Sequence, residues 1–191
     1  LDGSNVELGY QIDRSDTDNT NFKRLHVTSA DAISYTDSGL VDGTFYYYKI
    51  QTITTSGLNN AIEEIEVFTE INEPTYLTGQ STSSRINLTW LDNSATETGF
   101  KLERSTDGVN YTQIAALTAG ETEYTDNNVS DSSFYYYRVK AYKDENDSES
   151  IYSEITSLST PSSTKGAGTV HWFLMLSLLF MVRRVASIKP N

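Results

Sequence analysis

The chain repeats itself, and the period sets the size of the unit that must fold. Leu1 to Ser15 lies over Leu91 to Ser105 at an offset of 90, with Leu, Asp, Ser, Glu, Gly, Arg and Ser identical at seven of the fifteen positions. Further on, Tyr35-Thr36-Asp37 matches Tyr124-Thr125-Asp126, and Phe45-Tyr46-Tyr47-Tyr48-Lys49-Ile50 matches Phe134-Tyr135-Tyr136-Tyr137-Arg138-Val139, both at an offset of 89. The first copy therefore has one extra residue between Ser15 and Phe22. Any account of the fold must place the same roughly 90-residue arrangement twice. The copies end near Thr69 and Thr160, with Glu73-Pro74 as the junction, since a proline holds its predecessor extended.

Within a copy the hydrophobic period is two. Ile86, Leu88 and Trp90 alternate with Asn87 and Thr89; Phe100 and Leu102 alternate with Lys101 and Glu103; Tyr135, Tyr137 and Val139 alternate with Tyr136 and Arg138. Each run reads as a strand with one buried face. Asp92-Asn93-Ser94, Ala119-Gly120 and Asp144 to Asp147 punctuate the runs, and Asp107-Gly108 predicts a tight hairpin turn. About seven short strands and no helical pattern in 90 residues describe an all-β sandwich.

These residues resemble the fibronectin type III family as it occurs in secreted bacterial proteins. The resemblance covers residues 1 to about 160 and rests on Trp90, on Gly99-Phe100-Lys101-Leu102-Glu103-Arg104-Ser105, and on Val129 followed by Tyr135, Tyr137 and Val139. It implies immunoglobulin-like β-sandwiches in tandem, with Trp90, Tyr46 and Tyr135 as structural core. Tyr135 and Tyr46 would be corner tyrosines whose hydroxyls tie back to nearby backbone, with Val129 and Leu40 in equivalent roles.

Leu1 corresponds to Leu91, which follows Trp90, so the first copy is expected to lack its first two strands and its core tryptophan. On this reading the chain is the C-terminal part of a longer protein. Residues 1–70 form a partial domain of about five strands with one sheet nearly empty, and 71–160 a complete one. The excised partial domain is expected not to fold alone.

Charge divides the chain a second way. The 26 acidic and 10 basic residues before Pro161 leave −16, whereas the last 31 residues hold four basic residues and no acid. After a Ser/Gly linker over 161–169, an apolar run from Val170 to Val182 meets Arg183-Arg184, and a basic tail follows over 185–191. A helix of that run is roughly 20 Å long against a hydrocarbon core of roughly 30 Å. A complete sandwich has no vacant face for it, so 170–184 is expected to be a membrane-inserting helix. Arg183 and Arg184 would be the stop-transfer pair and remain cytoplasmic, with the acidic body exported to the cell surface or beyond. Gly166-Ala167-Gly168-Thr169, Trp172 and the arginine pair resemble the GlyGly-type C-terminal sorting tail. That resemblance implies cleavage near the glycines by a rhombosortase-type intramembrane protease. A permanent single-span anchor is the alternative.

Chemistry is sparse. There is no cysteine, which removes disulfides, thiolate metal sites and cysteine nucleophiles. The net charge of −12 opposes binding to a nucleic-acid backbone. His26 reads as an ordinary strand residue, and His171 suits a membrane interface. Asp92 with Glu97, and Asp2 with Glu7, recur in both copies, which favours a loop role over paired-acid catalysis. The cluster Asp144, Glu145, Asp147, Glu149 lacks the calcium-loop spacing and reads as a solvated turn. The sequons at Asn87, Asn110, Asn128 and Asn146 matter only in a eukaryotic secretory route. No cofactor, metal or catalytic residue is expected.

Alternation also defines an outward face. Phe134, Tyr136, Arg138 and Lys140 should project from the sheet beside Lys101 and Glu103, a surface for a polysaccharide or protein partner, or simply a ladder of cross-strand pairs. The expected function is a non-catalytic extracellular spacer, adhesion or polysaccharide-contact module of a secreted or surface-anchored bacterial protein. The alternatives are a receptor-like ectodomain of a single-pass membrane protein, and the C-terminal part of a secreted hydrolase.

Overall fold

The computed structural model describes residues 6–163. The expected helix over 170–184, Gly166 to Thr169, Arg183 and Arg184 lie outside the described residues. Among the described residues no helix is long and apolar enough to cross a membrane.

The first copy is a single antiparallel sheet. Strands β1 (Glu7–Ser15), β2 (Lys23–Val27), β3 (Phe45–Thr54) and β4 (Gly57–Phe68) lie in the order β2-β1-β3-β4. The second copy is a sandwich of two sheets. One holds β5 (Thr75–Ser81), β6 (Ile86–Leu91) and β9 (Glu123–Asp126); the other holds β7 (Gly99–Ser105), β8 (Thr112–Thr118), β10 (Phe134–Lys143), β11 (Ser148–Glu149) and β12 (Thr156–Ser159).

Period-two alternation builds this core. On β10, Tyr135, Tyr137, Val139 and Ala141 are buried, and on β6 so are Ile86, Leu88 and Trp90. The rows meet over Phe100 and Leu102, and the Trp90 ring sits edge-on to Phe100 at 5.8 Å. Burying each such side chain contributes about 1.5–3 kcal/mol. Glycine is needed where β7 begins: a Cβ on Gly99 would stand 1.9 Å from the Leu117 carbonyl oxygen. Its counterpart Gly9 would place one 2.2 Å from the Thr28 carbonyl oxygen, at φ 143°. That shared backbone approach accounts for one of the seven identities.

Two expectations change. The Asp107-Gly108 turn is not a tight hairpin, because β7 and β8 are joined by residues 106–111. The Asp107 carboxylate accepts from the backbone N–H of Val109 (2.8 Å) and Asn110 (2.7 Å), so a side chain rather than a ladder pair closes the loop. Asp18 does the same for Thr20 and Asn21 in the first copy, where the loop is one residue longer. Secondly, the first copy has four strands among the described residues rather than about five. The counterpart of β9, residues 35–37, is not a strand. In the second copy β9 pairs with β6, and the described part of the first copy contains no counterpart of β6. Tyr35 stacks instead on His26 at 4.6 Å. The inner face of the sheet, with Tyr10, Ile12, Tyr48, Ile50, Ile65 and Val67, opens as an apolar trough of about 490 Å³.

Candidate functional site

A triad repeated in both copies sets the frame. Arg104 Nη1 lies 2.8 Å from Asp126 Oδ2, to which the Tyr137 hydroxyl also donates at 2.9 Å. Arg14, Asp37 and Tyr48 repeat this, both contacts being 2.8 Å. Burial raises the carboxyl of Asp37, but the Arg14 and Tyr48 hydrogen bonds outweigh it and hold the group below the usual carboxylate range. Burial, then Asp37, pushes the Tyr48 hydroxyl up to about 12. The two arginines also lie over the rings of Tyr46 (5.2 Å) and Tyr135 (5.4 Å). Those tyrosines accept from backbone five residues upstream: Val41 N–H to Tyr46 Oη at 2.9 Å and Ser130 N–H to Tyr135 Oη at 2.8 Å. Every element here is committed to holding the fold.

The outward face of β10 is the one that offered either a partner surface or a ladder of cross-strand pairs. Phe134 is exposed, while Tyr136, Arg138 and Lys140 are half-buried. Arg138 is ion-paired with Glu103 at 2.7 Å and lies over the rings of Tyr152 (3.8 Å) and Tyr111 (4.1 Å). Lys140 pairs with Glu149 and also faces Tyr152, whose hydroxyl donates to Glu103 at 2.8 Å. Lys101 joins Glu149 at 2.6 Å, and these lysine hydrogen bonds lower the Glu149 carboxyl. Tyr136 covers the loop at Gly108. The cations are spent on neighbours, and the face is a cross-strand ladder.

Two serines that sequence reasoning passed over complete the edge of β10. The Ser153 hydroxyl accepts from Val139 N–H at 3.1 Å, and the Ser150 hydroxyl accepts from Ala141 N–H at 2.9 Å. Between β11 and β12 these hydroxyls take the β10 amides, while the serines' own N–H groups donate to the Ala141 (2.9 Å) and Val139 (2.7 Å) carbonyls. The signal was the pair Ser150-x-x-Ser153, too short to stand out among so many serines.

Of the recurring acids, Asp2 lies outside the described residues, and Glu7 and Glu97 are loop ties. Glu97 accepts from Gly120 N–H at 3.3 Å, and Glu7 from Asp31 N–H at 3.0 Å. Burial, together with Glu97, raises the Asp92 carboxyl. Among the described residues no group of acids or histidines is arranged to hold a metal ion.

The densest polar constellation lies where the copies meet. Asp42, buried in the loop before β3, accepts from Ser94 Oγ (2.6 Å), Ala95 N–H (3.1 Å) and Asn72 N–H (3.2 Å). Thr96 Oγ1 donates to the Asp42 carbonyl at 3.0 Å, and Lys143 Nζ to the Gly43 carbonyl at 2.9 Å. Burial opposes ionisation of Asp42, but the Ser94, Asn72 and Ala95 donors prevail and hold its carboxyl below the ordinary value. Gly43, at φ 54°, must lack a side chain, since a Cβ would meet Thr96 Oγ1 at 2.4 Å. Ile71, from the connection, is buried in the second core. The joint is thus pinned by an anion, an ammonium and an apolar plug.

Comparison with solved structures settles the architecture. A two-domain fibronectin type III segment from chicken tenascin superposes with a TM-score of 0.65 at 14% identity, covering 80% of this chain and 84% of that one. The fold is tandem fibronectin type III. A Fn3-like protein from Clostridium thermocellum is 33% identical over 48% of this chain and 95% of that one, with a TM-score of 0.41. A β-1,2-glucanase from Parabacteroides distasonis is 16% identical over 84% of this chain and 28% of its own, with a TM-score of 0.45. No family model and no curated protein matches. In fibronectin type III terms, the second module is a complete sandwich, and the first presents one sheet. The module joint is the feature best able to carry a function.

Proposed function

We propose that the chain is a non-catalytic spacer that holds whatever it is attached to at a fixed distance and angle, as part of an exported bacterial protein. The observation that carries this reading is the Asp42 joint. Five hydrogen bonds from Ser94, Ala95, Asn72, Thr96 and Lys143 converge on two residues of one loop. A flexible linker would need none of them. The tail fits delivery: the apolar run 170–182 would enter the inner membrane with Arg183 and Arg184 inside, and a rhombosortase-type protease would cut near Gly166 to Thr169. Adhesion or a protein partner would then be a matter of what the spacer presents.

The test uses the absence of native cysteine. Spin labels on Thr55→Cys and Ser84→Cys, one on each module, should give a single narrow distance distribution, and adding Asp42→Ala should broaden it. A broad distribution in the parent chain would remove the spacer reading. Mass spectrometry of the mature C-terminus in the native host tests delivery separately; an intact Asn191 on surface-exposed protein would remove the sorting reading.

A further inference from the structure

One residue of the second module is held in a conformation its side chain does not favour. Tyr76, the second residue of β5, has φ 54°, where the pairing of β5 with β6 shifts between Thr75 and Thr78. A bulky residue in the left-handed region costs about 1–3 kcal/mol, which glycine or asparagine would largely avoid. Burial does not repay this, because the residue is 75% exposed.

The ring stands at a cleft of about 560 Å³ whose far wall, Tyr152 and Ser153, also borders the β10 ladder. Leu91 and Ile151, both exposed, give the cleft aliphatic walls, and Glu73 and Glu154 give it two carboxylates. Asn93 fixes the Glu73 end of the cleft, donating to the Glu73 carbonyl at 2.8 Å and to Thr75 Oγ1 at 2.9 Å. No lysine, arginine or histidine lines it. A phosphate, sulfate or uronate would therefore meet two acids and no cation, within a chain of net charge −12. A neutral sugar fits every part: the C–H face of a pyranose packs on a flat aromatic ring and aliphatic walls, and its hydroxyls donate to carboxylates.

We propose that this cleft binds a neutral pyranose oligosaccharide, with Tyr76 as the stacking platform and Glu73 and Glu154 as acceptors for its hydroxyls. The left-handed backbone at Tyr76 coincides with the break in the β5–β6 register, and the ring is left largely exposed at the cleft. The proposal draws on none of Asp42, Ser94, Ala95, Thr96 and Lys143, so its failure would leave the spacer reading standing.

The experiment titrates the full chain, in zwitterionic micelles without sugar headgroups, with cellohexaose, xylohexaose, mannohexaose and chitohexaose. Trigalacturonate and hexalysine serve as charged comparators, and resonances of Tyr76 and Ile151 are followed by NMR. At least one neutral hexasaccharide should shift both resonances saturably at roughly millimolar affinity. Tyr76→Gly should weaken that binding about tenfold or more, as loss of an aromatic contact implies, while raising Tm because the left-handed strain is gone. Tyr76→Trp should retain binding. The proposal is overturned if no neutral hexasaccharide shifts these resonances, if Tyr76→Gly binds like the parent, or if hexalysine alone binds.

Discussion

Ser94 donates its hydroxyl to the carboxylate of Asp42 at 2.6 Å, and the two residues belong to different modules. This bond, with the Ala95 N–H at 3.1 Å on the other carboxylate oxygen, couples the loop before β3 to the loop after β6. A charge-assisted bond at a buried site is worth about 1.5–3 kcal/mol. Asp42→Ala should therefore lower the stability of the docked pair by about that amount. Calorimetry of the full chain would show the loss, and Ser94→Ala should show a smaller one, because Ala95 N–H still reaches Asp42.

The joint should open in acid. Asp42 has a folded-state value below that of an exposed aspartate, so the docked state binds fewer protons than the undocked one. Its contribution is complete above about pH 4 and is lost as pH falls through the folded value. Asp92, raised by burial and by Glu97, has the opposite sign, and acidification relieves it first. Spin-label distances should thus stay narrow down to about pH 4 and broaden below it, and Asp42→Ala should show no further broadening in acid.

Tyr137→Phe removes the hydroxyl that donates to Asp126 at 2.9 Å in the closed core. Arg104 remains on the same oxygen, so the carboxylate keeps its ion pair. The expected cost is about 1–2 kcal/mol, seen as a Tm shift of about 4–8 °C per kcal/mol for a domain of this size. The arginine variant Arg104→Met should cost more than Tyr137→Phe, since it leaves a buried charge unpaired.

Gly99→Ala should be the most damaging methyl addition in the second module. The new Cβ would press on backbone, at 1.9 Å from the Leu117 oxygen, where no side chain can swing aside. Parting β7 from β8 should cost several kcal/mol, read as loss of the cooperative transition or of soluble expression. Gly120→Ala, at positive φ but with open space around it, should cost only about 1 kcal/mol.

What could be read from the sequence was whatever repeats at short range. The alternation along Phe134 to Lys143 announced which residues face the core, and the resemblance to fibronectin type III implied the corner roles of Tyr46 and Tyr135. The Arg14–Asp37–Tyr48 and Arg104–Asp126–Tyr137 triads were in view as matched residues, but not as contacts, because their members lie 11 to 23 positions apart and share no period. The joint was invisible for a further reason. Asp42 and Ser94 are 52 residues apart and each looks like an ordinary turn residue. Asp107-Gly108 misled because the hairpin signal ignores what an aspartate side chain does to the next amides. Residues 35–37 matched a strand of the second copy, but a strand exists only with a partner.

The hydroxyls of Ser150 and Ser153 have a consequence for crowded chains. An exposed edge of a sheet is an invitation to a foreign strand wherever copies crowd together. Here the amides of Val139 and Ala141 that would receive a guest strand are already taken by side chains that cannot propagate a ladder. On the first module one outer edge is β4, twelve residues long, and it carries Glu63, Glu64 and Glu66. Occupied amides beside β10 and repulsion along β4 thus each make one stretch of backbone a poor template for a foreign strand.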